Sequence, residues 1–237
     1  MTTTAANKKT LALYAETSAH KAKVIESKKI ISSALKSLPR KKWYVAFSGG
    51  KDSTVLFSLV REHYSQIPGL WGDDEFYLPE TFRYINRVRA SGAKIKQIKN
   101  ETVHTDWFTA NTGCNAGAAY KKYSGSFTGL RAQENSYRRK FLRKYGTLHN
   151  SKKGWLCNPL AWWKTIDIWA YIHSRKIDYN SAYDRLSEIG VDFEHQRIGP
   201  YATEKALGYG QMAILKKGWP DEYQRFIKKF PQAGAYI

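Results

Sequence analysis

The six residues Ser48-Gly49-Gly50-Lys51-Asp52-Ser53 combine types and spacing that suit chemistry on an anion. Two adjacent glycines lack Cβ atoms, so the chain can turn sharply enough for several amide N–H groups to converge on one phosphate. Ser48 and Ser53 add hydroxyl donors, and Lys51 adds a positive point charge. Asp52 is suited to capping a helix or to helping hold a magnesium ion that neutralises phosphates. GxxxxGK[ST] cannot be aligned to this run, so the cradle it implies is not a Walker A loop.

Such a cradle needs a strand before it and a helix N-terminus behind it. Upstream, Trp43-Tyr44-Val45-Ala46-Phe47 is short, aromatic and β-branched, which reads as a strand. Downstream, Val55, Leu56, Leu59 and Val60 recur at helical spacing. A second cycle follows: a strand at 69–73, a helix at 78–90 carrying Phe82, Ile85 and Val88, and a strand at 94–98. Further strands are expected near 126–131 and 155–160. Thr165 is then expected to cap a helix that buries Ile168, Trp169 and Ile172. Alternating strands and helices predict an α/β fold with parallel pairing and right-handed crossovers.

Around this core the expected organisation is an N-terminal helical extension (1–40), a nucleotide-binding α/β domain (41–200) and a C-terminal helical tail (201–237). Val24, Ile31, Leu35 and Leu38 share one helical face in the first part, and Phe226, Ile227 and Phe230 are expected to dock the last. The 237 residues are 42% hydrophobic, enough for a core without metals or disulfides, which excludes disordered and small disulfide-rich classes. No apolar run reaches the ~20 residues of a membrane span, and the first residues lack a secretory apolar region, so a soluble cytoplasmic protein without membrane partners is expected. Cys114 and Cys157 stand apart with no CxxC pair, too few ligands for a zinc site or an iron–sulfur cluster. Cys157 reads as core; Cys114, in a loop of small residues, is the candidate reactive thiol.

Charge is the compositional outlier, at +19 from 39 basic and 20 acidic residues. A field of this sign attracts polyanions: nucleic acid, a phosphorylated nucleotide, or both. Arg138, Arg139, Lys140, Arg143, Lys144, Lys152 and Lys153 form a run without an acidic residue, interleaved with Phe141, Tyr145 and Trp155. That composition suits DNA or RNA, tRNA included, and equally suits a solvated helix face. His195 and Arg197 in the 192–200 stretch are candidates for reaching phosphates or a second substrate. The oligomeric state is left open, a homodimer among the options.

The Ser48–Ser53 run resembles the SGGKDS pyrophosphatase loop of the adenine nucleotide α-hydrolase superfamily, and within it the phosphoadenylyl-sulfate reductase family. The likeness extends over about residues 25–200. It includes Asp74-Glu75-Phe76-Tyr77-Leu78-Pro79-Glu80-Thr81, Gly129-Leu130-Arg131 with Glu134 and Arg138, and Asn158-Pro159-Leu160 followed by Trp169. The resemblance implies about five parallel strands with a nucleotide across their carboxyl ends. It also implies ATP as the bound nucleotide with Mg2+, and cleavage between the α and β phosphates to give an adenylylated intermediate and pyrophosphate. By the same resemblance Ser48, Gly49, Gly50, Lys51, Asp52 and Ser53 grip the phosphates, and Gly129 and Arg197 join the nucleotide site. Arg131 would stabilise developing charge, and Asp73 or Asp74 would face ribose or magnesium, an exposed turn pair being the competing reading. Reductases of the family end in a cysteine-bearing tail, whereas this sequence ends Pro231-Gln232-Ala233-Gly234-Ala235-Tyr236-Ile237, so adenylyl transfer is expected ahead of sulfonucleotide reduction. A nucleic-acid-binding regulatory module that keeps a silent nucleotide pocket is the reading from a different class.

Overall fold

The computed structural model describes residues 5–73, 76–99, 122–152, 154–201 and 210–236. Six strands form one sheet: β1 (Trp43–Ala46), β2 (Gly69–Asp73), β3 (Ile95–Lys99), β4 (Gly125–Phe127), β5 (Leu148–Ser151) and β6 (Gly154–Cys157), in the order β3-β2-β1-β4-β6-β5. The first five in that order are parallel neighbours, as expected from the alternation; β5 alone runs antiparallel, hairpinned onto β6. The order reverses direction around β1, so the β1 loop opens at the switch point where open α/β sheets leave a crevice.

The sixth strand escaped the sequence reading for a physical reason. Residues 138–153 read as one basic run, yet Gly146 takes φ +75°, ending a helix and turning the chain. The strand after it is an edge strand whose Leu148-His149-Asn150-Ser151 sequence has little apolar alternation to announce it.

Helices cover the sheet. α1 (Ala5–Ala15) and α2 (Ser18–Ser37) precede β1; α3 (Lys51–His63) and α4 (Pro79–Ala90) follow β1 and β2; α5 (Ser136–Tyr145) follows β4. After β6 come α6 (Thr165–Ser174), α7 (Ala182–Glu188), α8 (Gln211–Gly218) and α9 (Pro220–Lys229). α3 carries the apolar face read from the sequence, with Val55, Leu56, Leu59 and Val60 fully buried. α1 lies along α6, and α2 against α3 and β6. One continuous core takes in Leu11 and Ile31 from the first helices, Trp43 and Val45 from β1, Trp169 from α6 and Phe226 from α9. Thr165 is the first residue of α6 rather than its cap: Asp167 accepts the Lys164 amide at 2.6 Å, and the Thr165 amide goes instead to Gln133 Oε1 at 2.7 Å. Cys157 is buried as expected; Cys114 and the loop around it lie outside the described residues.

Candidate active site

β1 delivers the chain to Ser48-Gly49-Gly50, and α3 starts at Lys51. Gly49 takes φ +76°, the left-handed region, and a Cβ there would stand 3.3 Å from Thr81 Cγ2. Gly50 precedes the first helical residue, and a Cβ on it would meet the Tyr183 hydroxyl at 3.3 Å and the Ile198 carbonyl at 3.5 Å. The first glycine is therefore needed for its torsion and the second for close approach. In front of the loop opens a cavity of about 520 Å³ whose wall includes Ser48, Gly50, Lys51, Ser53, Arg138 and Arg197.

The loop amides are partly engaged within the protein. Ser48 N donates to Ser53 Oγ at 3.2 Å, Gly50 N to Ser48 Oγ at 3.3 Å, and Lys51 N to the Tyr183 hydroxyl at 2.9 Å. All three acceptors are hydroxyl oxygens, which rotate and can equally donate, so an incoming anion can replace them or be bound through them. Ser53 Oγ also donates to the Gly50 carbonyl at 2.9 Å, fixing the turn.

Lys51 is only 3% exposed. Its Nζ donates to the Gln196 carbonyl at 3.0 Å, lies 3.4 Å from Asp52 Oδ2 and sits 5.5 Å from the centre of the Tyr183 ring. Burial, the largest influence, pulls its ammonium below the ordinary value, with Asp52 acting in the opposite direction. Asp52 Oδ1 stands 2.6 Å from Arg131 Nε, a charge contact without the alignment of a linear hydrogen bond. Arg131 is itself buried and donates Nη1 to Gln133 Oε1 at 3.0 Å and to the Trp163 carbonyl at 3.3 Å. It therefore backs Asp52 rather than lining the cavity, and any influence on a bound nucleotide passes through that carboxylate.

Gly129 presses on the backbone of Asp52: a Cβ would come within 3.3 Å of the Asp52 carbonyl carbon. Five residues on, Glu134 accepts the Arg131 amide at 3.1 Å and pairs with Arg138, while Arg197 Nη2 donates to the Glu134 carbonyl at 3.3 Å. Gln133 Nε2 donates to Glu194 Oε2 at 2.9 Å. The 192–200 stretch is thus clasped to the loop through the Gln196 carbonyl, and to Gln133 and Glu134 through Glu194 and Arg197. His195 in the same stretch is 79% exposed and approaches only Asp192, at 3.9 Å, outside the cavity wall.

Of the residues singled out from the sequence, the structure brings Ser48, Gly50, Lys51, Asp52, Ser53, Gly129 and Arg197 to the cavity. Gly49 shapes the turn and Arg131 stands behind. The Asp73 backbone pairs with Lys99 at the end of β2; its side chain and all of Asp74 lie outside the described residues. Sequence reading missed Tyr183 and Gln196, which belong to no motif and reach the loop from more than 130 positions away, as only the fold can reveal.

A protein-held magnesium ion does not fit the described side chains. Asp52 is taken by Lys51 and Arg131, Glu134 by Arg138 and the Arg131 amide, and among the described residues no three His, Cys, Asp or Glu side chains gather. What the wall offers a phosphate is amide and hydroxyl groups and cations.

The family model for the phosphoadenosine phosphosulfate reductase domain matches residues 42–206, from β1 to beyond the clasped stretch. The chain belongs to that family. It therefore stands in the adenine nucleotide α-hydrolase-like superfamily, as the loop resemblance implied. Two uncharacterised proteins of Methanocaldococcus jannaschii are 25% identical over 207 residues and 26% identical over 201 residues, spanning 80% and 77% of this chain. The matches take in 47% and 40% of those proteins, so the chain spans less than half the length of either. Among solved structures, phosphoadenylyl-sulfate reductase from Candida auris in a phosphate complex superposes with TM-score 0.58 at 17% identity, covering 85% of this chain and 97% of that one. FMN adenylyltransferase of Candida glabrata in complex with ATP gives TM-score 0.51 at 14% identity, covering 67% and 56%. The likeness to both is one of fold.

Proposed function

We propose that this chain binds ATP with its phosphate tail on the Ser48–Ser53 loop and transfers the adenylyl group to an acceptor. The observation that carries this reading is the left-handed Gly49 turn at the N-terminus of α3, opening on a cavity of about 520 Å³ walled by Lys51, Arg138 and Arg197. A helix N-terminus with free or exchangeable amides favours anions. The three cations supply the charge that a leaving pyrophosphate needs, and preorganised charge of this kind is commonly the largest contribution to catalysis. The acceptor's nucleophile attacks the α phosphorus, the bond from that phosphorus to the bridging oxygen breaks, and pyrophosphate leaves with the electron pair. The acceptor's proton passes to solvent. Membership of the family and the fold shared with an ATP-bound adenylyltransferase support this reading.

The family's description motivates one alternative, sulfonucleotide reduction, which needs a reactive thiol at the cavity. Cys157 does not provide one, because it is fully buried and burial pushes its thiol far up. Incubation with ATP labelled at the α phosphate tests the main proposal: AMP or an adenylylated acceptor with pyrophosphate is expected. Release of ADP and phosphate, or sulfite release from a sulfonucleotide abolished by Cys114→Ser, would overturn it.

A further inference from the structure

α5 begins at the cavity and presents a face that the site's own chemistry does not use. Asn135 caps it by accepting the Arg138 amide at 2.7 Å, and Arg138 in its first turn lines the cavity wall. Leu142, packed with Ala132 and Ala161, seats the helix on the body. At 100° per residue the five residues Arg139, Arg143, Lys140, Lys144 and Tyr137 share one arc of about 160°, with Lys140, Lys144 and Tyr137 roughly opposite Leu142 and Arg139 at the arc's near edge. All five are exposed, the helix holds no acidic residue, and none of the four cations has an ion-pair partner among the described residues.

Aromatic rings accompany these charges. Tyr137 is 76% exposed, Tyr145 46% and Trp162, next to Ala161, 51%. The only other large apolar side chains so exposed among the described residues, Leu13 and Ile25, belong to α1 and α2. Tyr145 stacks on His149 of β5 with centroids 5.3 Å apart and planes 28° from parallel, and Lys144 Nζ lies 5.2 Å from the Tyr145 ring centre. A solvated helix face would show charge without exposed rings, and a membrane-binding helix would turn aliphatic side chains outward, whereas Leu142 points inward. Exposed cations interspersed with exposed rings, Tyr137 and the Tyr145–His149 stack, match a chain of phosphates with unstacked bases between them.

We infer that α5, with Tyr145 and His149 at its far end, is a docking strip for single-stranded nucleic acid leading to the cavity at Arg138. Given the adenylyl-transfer reading, on which this part rests, the bound strand is the acceptor. The strip does not depend on turnover, so its binding is measured separately from the chemistry.

The probe is a fluorescein-labelled 20-nucleotide single strand of mixed sequence, as RNA and as DNA, followed by anisotropy against the full chain at several salt concentrations. The same sequence as duplex, heparin, and vesicles containing anionic phospholipid are the comparisons. Reversing Arg139, Lys140, Arg143 and Lys144 to Glu is expected to weaken single-strand binding at least 100-fold and to flatten the log–log salt slope by about 3, at ~0.7 per phosphate contact. Reversing four exposed lysines of α1 and α2 (Lys8, Lys9, Lys29 and Lys36) changes net charge equally and is expected to cost less than about threefold. Tyr137→Ala with Tyr145→Ala is expected to cost about tenfold per ring, and the Phe pair to restore it. Circular dichroism and the melting temperature of each variant confirm folding. Equal losses from the two charge reversals, no effect of the tyrosines, or stronger capture of heparin, duplex or vesicles than of single strands would each overturn the strip. Lys51→Ala keeps strand binding and loses ATP binding if both readings hold; absence of labelled-ATP chemistry in the wild-type chain, with strand binding intact, sinks only the adenylyl-transfer reading.

Discussion

Two carboxylates are ringed by cations and a tyrosine, Asp167 fully buried and Asp52 about one-fifth exposed, and only Asp52 opens on a cavity walled by loop amides. Asp167, on α6, is fully buried and receives Lys23 Nζ at 2.5 Å, the Tyr14 hydroxyl at 2.9 Å and the Lys164 amide at 2.6 Å, with His20 Nδ1 at 3.6 Å. These groups come from α1, α2 and the start of α6, so the knot fastens the N-terminal helices to the core. Burial alone would push Asp167 up, but the close approach of His20 and the bonds from Lys23, Lys164 and Tyr14 outweigh it and hold the carboxyl well below the ordinary carboxylate range. Asp52 has Lys51 and Arg131 but faces the cavity at the phosphate loop. A carboxylate paired with cations is therefore not what marks a site. The Asp167 knot has consumed its cations, whereas Lys51 holds only a backbone carbonyl and one shared carboxylate and has open space in front.

Mutating each knot separates the two roles, and the largest effect is expected at the closed one. Asp167→Ala leaves Lys23, Tyr14 and the Lys164 amide without their acceptor and is expected to cost about 3–5 kcal/mol in urea unfolding, with nucleotide affinity of the folded fraction unchanged. The same knot has a pH signature. Because the folded Asp167 pKa lies below the unfolded value near ~3.9, its contribution is complete above that value and is lost as pH falls below it. The wild type should therefore lose stability below about pH 4 more steeply than Asp167→Asn in matched melts.

At the open knot the order reverses. Lys51→Met is expected to lower ATP affinity by about 10- to 100-fold, the 1.5–3 kcal/mol of a hydrogen bond to a charged group, while leaving the melting temperature nearly unchanged. A calorimetric titration alongside a melt reads both. Gly49→Ala forces a side chain into φ +76° and is expected to cost about 1–2 kcal/mol of stability together with a weakened nucleotide site. Smallest is Tyr183→Phe, which strips the Lys51 amide of its acceptor: about 1 kcal/mol is expected, recovered when saturating ATP supplies a phosphate oxygen instead.

How much of this was legible in the sequence differs between the two knots. The phosphate loop was readable because its chemistry is local: two glycines, a lysine and two serines lie between a β-branched strand and a helix with a clear apolar period. The five parallel strands followed from the same alternation. β5 was hidden because an edge strand has no buried face to write a pattern, and the α6 cap was misassigned because Gln133, 32 positions away, claims the Thr165 amide. Asp167, Tyr183 and Gln196 were invisible for one shared reason: their partners come from distant segments, and a polar residue's tertiary partner leaves no periodicity. Arg131 was named as a site residue, but only the fold reveals that Asp52 stands between it and the cavity.

If the amides of the double-glycine turn receive a nucleotide's phosphates, their resonances must respond to one. The most direct measurement is a titration of 15N-labelled protein with a non-hydrolysable ATP analogue, following the amide resonances of Gly49, Gly50, Lys51 and Asp52. Saturable downfield proton shifts are expected at those residues, with disturbance of the Tyr183 hydroxyl contact and unmoved amides around Asp167. Saturable binding that leaves Gly50 and Lys51 unshifted would contradict that role for the turn.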